Sequence, residues 1–228
     1  MDIKNEVKSS TDTANIPPIV STYRQALLTF EDVNRKDFKT NMSKLKSLVD
    51  KLKPEDLGFD NTFTKSETWF KPSKAPCTYI EMYGLLKVIS GVVNIRSYSE
   101  YPLQEPASLD FTSRAKFEAA RLAQGIFRRR RFFAEVTTSQ TCRCDSEACF
   151  LTPTISNYHE IQAMTMPAAF FDILAPPYDT IIRNVGPRVC RYYEVANEIS
   201  SNLVELQEVN VPDCFFCDQA PYRGLPLC

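Results

Sequence analysis

The chain has 228 residues, a mass of 26.0 kDa and a formal net charge of −1 at pH 7. This length suits one domain, and the balanced charge gives no overall basis for binding nucleic acid or an anionic membrane. No apolar run approaches the roughly 20 residues that a membrane-spanning helix needs, and the polar start of the chain lacks the apolar core of a signal peptide. We therefore expect a cytoplasmic protein, with a nuclear location also open, and no membrane or nucleic-acid partner.

Polar residues fill the start of the chain up to Pro17-Pro18 and predict a disordered arm. Apolar residues then recur at helical spacing. They predict a short helix over 22–30 and a longer one over 38–52, which ends shortly before Pro54. The predicted organisation is an arm over 1–20, a helical segment over 21–58 and a third part over 59–228.

Short runs rich in apolar and β-branched residues, interrupted by Gly, Pro and Asn, dominate this third part and predict a β-sandwich or barrel. One segment differs, because 117–133 has helical composition and ends in Arg128–Arg131. We interpret it as a surface insertion around 112–140 and not as a nucleic-acid patch, since stacking aromatic residues are not interleaved with the arginines. The predicted strands cover 85–88, 92–96, 148–151, 168–174, 191–195 and 203–208.

Eight cysteines and a single histidine limit the metal chemistry open to the chain. Without a secretory signal, the thiols are expected to be reduced. Cys142 and Cys144 could form a zinc site with Cys214 and Cys217. We favour ordinary reduced cysteines, because the first pair is cramped and neither pair is set in the turns of a zinc knuckle.

Six segments of the sequence, in order, carry a resemblance to a known family. The most specific is PAAFFDILAPPYD at 167–179, which follows Asn-Tyr-His-Glu-Ile at 157–161. Together the segments resemble the cysteamine (2-aminoethanethiol) dioxygenase family, the animal relatives of plant cysteine oxidases, over most of the chain beyond residue 22. The other segments are KLKSLVDKLKPEDLGF (44–59), YGLLKVISGVVNIRSY (83–98), CFLTPTISNYHEI (149–161), CRYYEV (190–195) and CFFCDQAPYRG (214–224).

This resemblance implies a mainly β cupin, that is, a double-stranded β-helix or jelly-roll barrel, incomplete here and preceded by N-terminal helices. It also implies a mononuclear Fe(II) held by three histidines, with O2 as co-substrate. The implied reaction converts the thiol of cysteamine, or of an N-terminal cysteine in a protein or peptide, to a sulfinic acid, which can serve in oxygen sensing. Three neutral imidazoles leave open positions on iron, where a thiolate and O2 can bind side by side. The implied state is a monomer.

The resemblance carries five positions over as candidate site residues. His159 matches one of the three metal ligands. Asp172 and Tyr178 match pocket residues, and Cys190 and Tyr192 match a pair that can become covalently crosslinked near the site. Without the resemblance, each of the five is also compatible with an ordinary structural role in the wall of a β barrel.

The other two histidine ligands have no counterpart, because the chain contains only one histidine. In the family an H-x-H precedes a Met-x-Gly-x-x-Lys motif, which is present here from Met82 to Lys87. In one interpretation, Cys77 and Tyr79 replace the two histidines. In the other, which we favour, 77–81 belongs to an earlier strand and about 25 residues are missing before Met82, at typical strand and loop lengths.

Loss of strands would expose free edges on a closed barrel and uncover part of its apolar interior. The sequence therefore also predicts that the chain folds poorly or survives only as a partial cupin. A non-catalytic member that binds thiol substrates or partners is the alternative function.

Overall fold

Helices precede a β-rich body in a computed structural model, which describes residues 16–60, 75–79, 82–102, 108–124, 129–178, 180–182, 186–213, 215, 217 and 219–227. The elements in chain order are α1 (Pro18–Phe30), α2 (Phe38–Val49), a short 3-10 helix (Pro54–Leu57), β1 (Cys77–Tyr79), β2 (Tyr83–Ser90), β3 (Val93–Glu100), α3 (Phe111–Ala123), β4 (Arg131–Cys142), β5 (Cys149–Leu151), β6 (Tyr158–Ala163), β7 (Ala169–Ala175), β8 (Ile181–Ile182), β9 (Gly186–Pro187), β10 (Arg191–Glu198) and β11 (Leu203–Val209).

The six predicted strands coincide with β2, β3, β5, β7, β10 and β11. Helix α1 begins at Pro18, four residues before the predicted start, because proline is well suited to the first helical position. The predicted arm lies outside the described residues as far as residue 15. The segment predicted as an insertion, 112–140, contains most of α3 and also most of β4, which is a strand of the main sheet.

Two main sheets form the body of the protein. The larger sheet closes into a barrel in the order β1-β10-β11-β4-β3-β6, and the smaller has the order β5-β2-β7. The predicted mainly β barrel with N-terminal helices is therefore confirmed. Strand β1 closes the larger sheet by pairing with both β6 and β10. Within the described residues, free strand edges lie outside the barrel, at β5 and β7 of the smaller sheet and at β8 and β9, which pair only with each other.

Aromatic side chains fill the closed barrel. The ring centroids of Tyr158 and Tyr193 lie 5.3 Å apart, and Phe132 lies 5.0 Å from the first and 5.4 Å from the second. Such tilted and edge-to-face pairs each contribute about 0.5–1.5 kcal/mol beyond burial alone. Cys77 of β1 belongs to this aromatic core and is 2% exposed.

Strand β2 is buried on both faces, which explains why Leu85 to Ile89 are apolar apart from Lys87. On one face Leu85 packs against Leu45 of α2, and on the other Leu86 and Val88 pack against the larger sheet. Lys87 is also buried, and its ammonium donates to the carbonyl oxygens of the loop after β4, at 2.8 Å for Cys144 and also to Ser146.

Helix α3 packs on the outside of the barrel. Phe117 stacks on Phe133 of β4 with ring centroids 4.2 Å apart, and Asp110 caps the helix by accepting from the Ser113 backbone at 2.9 Å. Of the predicted arginine cluster, Arg130 pairs with Glu100 at 2.8 Å. The last arginine, Arg131, lies 3.6 Å from the buried Glu205 and donates to Gln207. Arg128 lies outside the described residues.

None of the described helices is long and apolar enough to cross a membrane.

Gly91 makes the turn between β2 and β3 with a positive φ of 71°. A Cβ there would overlap the Pro167 carbonyl oxygen and lie 2.9 Å from the Cα of Ala168. We expect Gly91→Ala to lower the free energy of unfolding by about 1–3 kcal/mol, measured by urea denaturation. Thr141→Ala, at an exposed strand position, is the control, and equal stabilities of the two variants would contradict the expectation.

Candidate functional site

His159 lies in β6 at the centre of three paired strands. It is opposite Thr78 of β1 on one side and Ser97 of β3 on the other. Its backbone carbonyl accepts a hydrogen bond from Thr78 Oγ1 at 3.2 Å. The residue is 6% exposed, and burial lowers the pKa of its imidazole to about 4. The ring is therefore neutral at pH 7, which is the form that can donate a lone pair to a metal.

The face of β6 that carries His159 is turned toward the smaller sheet. Side chains two apart in a strand share a face, so Ile161 is on the same side as His159. Ile161 packs against a core that includes Val88 of β2 and Phe170 of β7. Its neighbour in sequence, Tyr158, points the other way into the aromatic core. His159 therefore faces the space between the two sheets.

Asp172 approaches this space from the smaller sheet. It lies opposite Leu86 and two residues from Phe170, and both of these pack toward the larger sheet. Burial raises the pKa of the Asp172 carboxyl to about 7. Its Oδ1 is buried without a hydrogen-bond partner in the described part of the chain. A buried acceptor of this kind carries a desolvation cost until a donor reaches it.

Tyr178, Cys190 and Tyr192 form a polar cluster beside Asp172. The Tyr178 hydroxyl donates to Cys190 Sγ at 3.9 Å, and the Cys190 thiol is also hydrogen-bonded to Tyr192. Burial raises the pKa of Cys190, although both tyrosine hydroxyls oppose the shift. Burial, and then the neighbouring Cys190, raise the pKa of Tyr178, and Asp172 adds a smaller effect in the same direction. Four of the five predicted site residues therefore lie together.

Three residues on adjacent strands of the barrel wall connect this cluster with His159. Thr78 of β1 is opposite His159 on one side and opposite Tyr192 on the other, so the three side chains share a face. Two strand spacings separate the outer members, which places their Cα atoms about 10 Å apart. No sequence motif assigns Thr78 to the site. The one signal in the sequence is that Thr78 lies between Cys77 and Tyr79, so its side chain is on the face of the strand opposite to theirs.

Cys77 and Tyr79 do not reach His159, and the interpretation in which they replace two histidine ligands is corrected here. Their register partners are Glu160 and Tyr158, which flank His159 and point to the other side of β6. Both side chains pack in or against the aromatic core. Burial raises the pKa of the Cys77 thiol well above its ordinary value, so it stays protonated at neutral pH.

The described residues do not contain a group of three or more His, Cys, Asp or Glu side chains arranged to hold a metal ion. The whole chain has one histidine, so the implied three-histidine iron centre does not fit it. The zinc alternative gains no support either. Cys142 is buried and contacts Cys149, Cys144 is exposed, and Cys214 lies outside the described residues.

The fold is that of a cupin-like protein, with a closed β barrel, a smaller sheet and two N-terminal helices. His159 on the larger sheet faces the smaller sheet, and Asp172 on the smaller sheet faces the larger one. The PCO_ADO family model matches residues 80–227. The chain is 30% identical to the 2-aminoethanethiol dioxygenase of Homo sapiens over 235 aligned positions, which cover 82% of this chain and 81% of the relative. It is 27% identical to the 2-aminoethanethiol dioxygenase of Mus musculus over 251 positions, which cover 88% and 93%. The chain therefore belongs to the PCO_ADO family, and the resemblance seen in its sequence is confirmed.

Both alignments are longer than the part of this chain that they cover. In the alignment with the human relative, 82% of 228 residues is about 187 residues of this chain. About 48 of the 235 alignment positions are therefore gaps in this chain. For the mouse relative, 88% is about 201 residues, which leaves about 50 of 251 positions. Gaps of this total length support the interpretation that a segment is missing, although they do not by themselves locate it before Met82.

The raised pKa of Asp172 makes stability depend on pH. In the unfolded chain its carboxyl ionises near 3.8, whereas in the folded protein it ionises near 7. Between these values the folded state keeps a proton that the unfolded state has released, so this group's contribution to stability falls as pH rises from about 4 to 7. We expect Asp172→Asn to be more stable than the parent by up to about 4 kcal/mol at pH 8, and nearly equal to it at pH 4.

Urea denaturation at the two pH values checks this expectation. Asp145→Asn, which removes an exposed carboxylate, is the control. A difference between Asp172→Asn and the parent that is the same at both pH values would show that the carboxyl is not desolvated.

His159 has the opposite dependence. Its pKa is about 4 in the folded protein against 6.5 in the unfolded chain. As pH falls from 6.5 to 4 the unfolded state takes up a proton first, so about 3 kcal/mol of stability is lost over this range. Because Asp172 opposes this slope, the measurement belongs in an Asp172→Asn background. There, His159→Gln is expected to flatten the decline, and an unchanged decline would exclude His159 as its source.

Proposed function

We propose that this protein binds the thiols that its family oxidises, cysteamine or the N-terminal cysteine of a peptide, and that the dioxygenation step is impaired in this chain. The observation that carries the proposal is the Asp172 carboxyl, whose buried Oδ1 has no partner within the described structure. Asp172 acts electrostatically on Tyr178, which in turn is hydrogen-bonded to Cys190. Membership of the PCO_ADO family and similarity to the 2-aminoethanethiol dioxygenases of Homo sapiens and Mus musculus support the choice of thiol.

Cysteamine and an N-terminal cysteine share one chemical feature, a primary ammonium two carbons from the thiol. Asp172 Oδ1 can accept a hydrogen bond from this ammonium, which would satisfy the buried oxygen and favour the ionised carboxylate. The thiol would then lie toward the polar cluster. The Tyr178 hydroxyl, which donates to Cys190 in the structure, is a donor that can turn to this second sulfur.

The oxidation step is where this chain departs from its relatives. In the family, according to the sequence resemblance, non-haem Fe(II) brings thiolate and O2 together so that both oxygen atoms reach sulfur. A single neutral imidazole, that of His159, faces the space between the two sheets, and Cys77 and Tyr79 are turned away from it. We therefore assign binding and orientation of the thiol to these residues and no oxygen-transfer step.

Ligand binding separates the two parts of the proposal. Under anaerobic calorimetry we expect cysteamine to bind, and Asp172→Asn to weaken its binding by about 10-fold or more, since a hydrogen bond to a charged group contributes about 1.5–3 kcal/mol. Asp145→Asn is the matched control protein. 2-Mercaptoethanol, which has a neutral hydroxyl in place of the ammonium, is the matched ligand and should lose much less affinity than cysteamine in Asp172→Asn, because the hydroxyl can also donate to the amide oxygen of Asn. Absence of cysteamine binding would overturn the assignment of the thiol site.

Metal content and oxygen uptake test the impairment. After anaerobic purification with ferrous iron, we expect well under one iron per chain and no thiol-dependent O2 consumption. Human 2-aminoethanethiol dioxygenase treated in the same way is the positive control. Stoichiometric iron together with sulfinic acid formation would mean that this chain builds an iron site from other residues and is an active dioxygenase.

A further inference from the structure

Two thiols outside the candidate site lie in contact where the two sheets meet. Cys142 ends β4 and pairs with Val93 in the larger sheet, while Cys149 begins β5 and pairs with Leu86 in the smaller sheet. Their Sγ atoms are 3.8 Å apart, which is close to van der Waals contact. A covalent bond here would therefore tie one sheet to the other.

We propose that Cys142 and Cys149 are a disulfide-forming pair that links the two sheets. A disulfide needs the sulfur atoms about 2.0 Å apart, and the present separation can be closed by small side-chain rotations if the backbone positions are already suitable. The fold, and not distance along the chain, brings these two thiols together, because Cys144 is nearer to Cys142 in the sequence than Cys149 is.

The segment between the two cysteines is held in place at both ends. Lys87 Nζ donates to the carbonyl oxygen of Cys144 at 2.8 Å. The Ala148 backbone N–H donates to Asp50 Oδ1 at 2.6 Å. Cys149 is thereby fixed next to Cys142, and Gln140 Nε2 donates to its sulfur at 2.9 Å. These contacts limit the motion of the pair before any bond forms.

Cys144 does not compete for the bond. It lies beyond the last residue of β4 and its side chain is exposed, whereas Cys142 is 2% exposed in the core between the sheets. Of the two paired thiols, Cys149 is the more accessible, because it is only partly buried. An oxidant would therefore meet Cys149 first.

Disulfide exchange with glutathione disulfide supplies a balanced route. The Cys149 thiolate attacks one sulfur of the oxidant, releases one glutathione thiolate and forms a mixed disulfide. The Cys142 thiolate then attacks Cys149 Sγ and releases the second glutathione. Two protein thiols are oxidised, one small disulfide is reduced to two thiols, and the two protons pass to the glutathione products.

The rate of this exchange should be low at neutral pH. Burial, and then the neighbouring Cys142, raise the pKa of Cys149 to about 12, whereas its hydrogen bond from Gln140 opposes the shift. Since the thiolate is the attacking species, the rate should rise close to tenfold for each pH unit between 7 and 9. The position of the equilibrium, measured after long incubation, does not depend on this rate.

The test is to equilibrate the full chain in glutathione redox buffers, trap free thiols with a maleimide and digest with trypsin and Glu-C. Cleavage at Arg143 and Glu147 puts Cys142, Cys144 and Cys149 on three separate peptides, so mass spectrometry identifies which two are joined. We expect the Cys142–Cys149 peptide pair to accumulate as the buffer becomes more oxidising. The oxidised protein should also show a higher Tm than the reduced protein.

Variants supply the controls. Cys144→Ser should leave the Cys142–Cys149 bond and the rise in Tm unchanged, whereas Cys149→Ser should remove both, with Cys149→Ala as the replacement if the serine variant does not fold. Full maleimide labelling of Cys142 in the most oxidising buffer would overturn the proposal. So would a joined Cys142–Cys144 pair, or a Tm that does not change on oxidation. None of these outcomes bears on thiol binding at Asp172.

Discussion

The pairing register of β1 is the constraint on which the rest of the structure depends. This strand has three residues, 77–79, and they bond to β6 on one side and β10 on the other. Because side chains alternate, the register sends Cys77 and Tyr79 into the aromatic core and turns Thr78 toward the smaller sheet. A slip of one residue would reverse all three, remove two side chains from the barrel interior and bring a thiol and a phenol to the face of His159. The packing of the core and the composition of the site are thus decided by the same few backbone hydrogen bonds.

The fold could be predicted from sequence where burial leaves a clear pattern. Strands such as β2 and β7 are covered on both sides, by helices and by the larger sheet, and so are mostly apolar, with one ionisable residue each, Lys87 and Asp172. Strand β4 has a weaker sequence signal, because the second half of the strand is mostly exposed or partly buried. The strand also directly follows a helix and an arginine cluster, which give this part of the sequence a helical composition. Closure of the barrel was not predictable, since β1 is too short to have a period and its partners lie about 80 and 110 residues further along the chain. Long-range pairing is a property of tertiary structure and leaves no local signal.

Sequence motifs supplied the residues of the candidate site, whereas their geometry comes only from the structure. Motifs around His159 and Asp172 pointed to both positions, and a count of histidines was sufficient to show that the ordinary iron site is absent. Spacing alone showed that Cys77 and Tyr79 share a face, but it could not show which face, because that depends on the partner strands. The environments of the two interior groups also emerge only from the fold. Burial leaves the imidazole of His159 and the carboxyl of Asp172 with opposite shifts of pKa, and both shifts favour the uncharged form.

The small size of β1 also has a consequence for the motions of the barrel. A strand of three residues has fewer backbone hydrogen bonds to break than its eight-residue neighbour β10, so we expect the closed sheet to open most easily on either side of β1. Detachment would bring water to the aromatic rings behind it and free the sulfur of Cys77, which has almost no access to solvent while the strand is in place. The rate at which a thiol reagent labels Cys77 would therefore report how often the barrel opens.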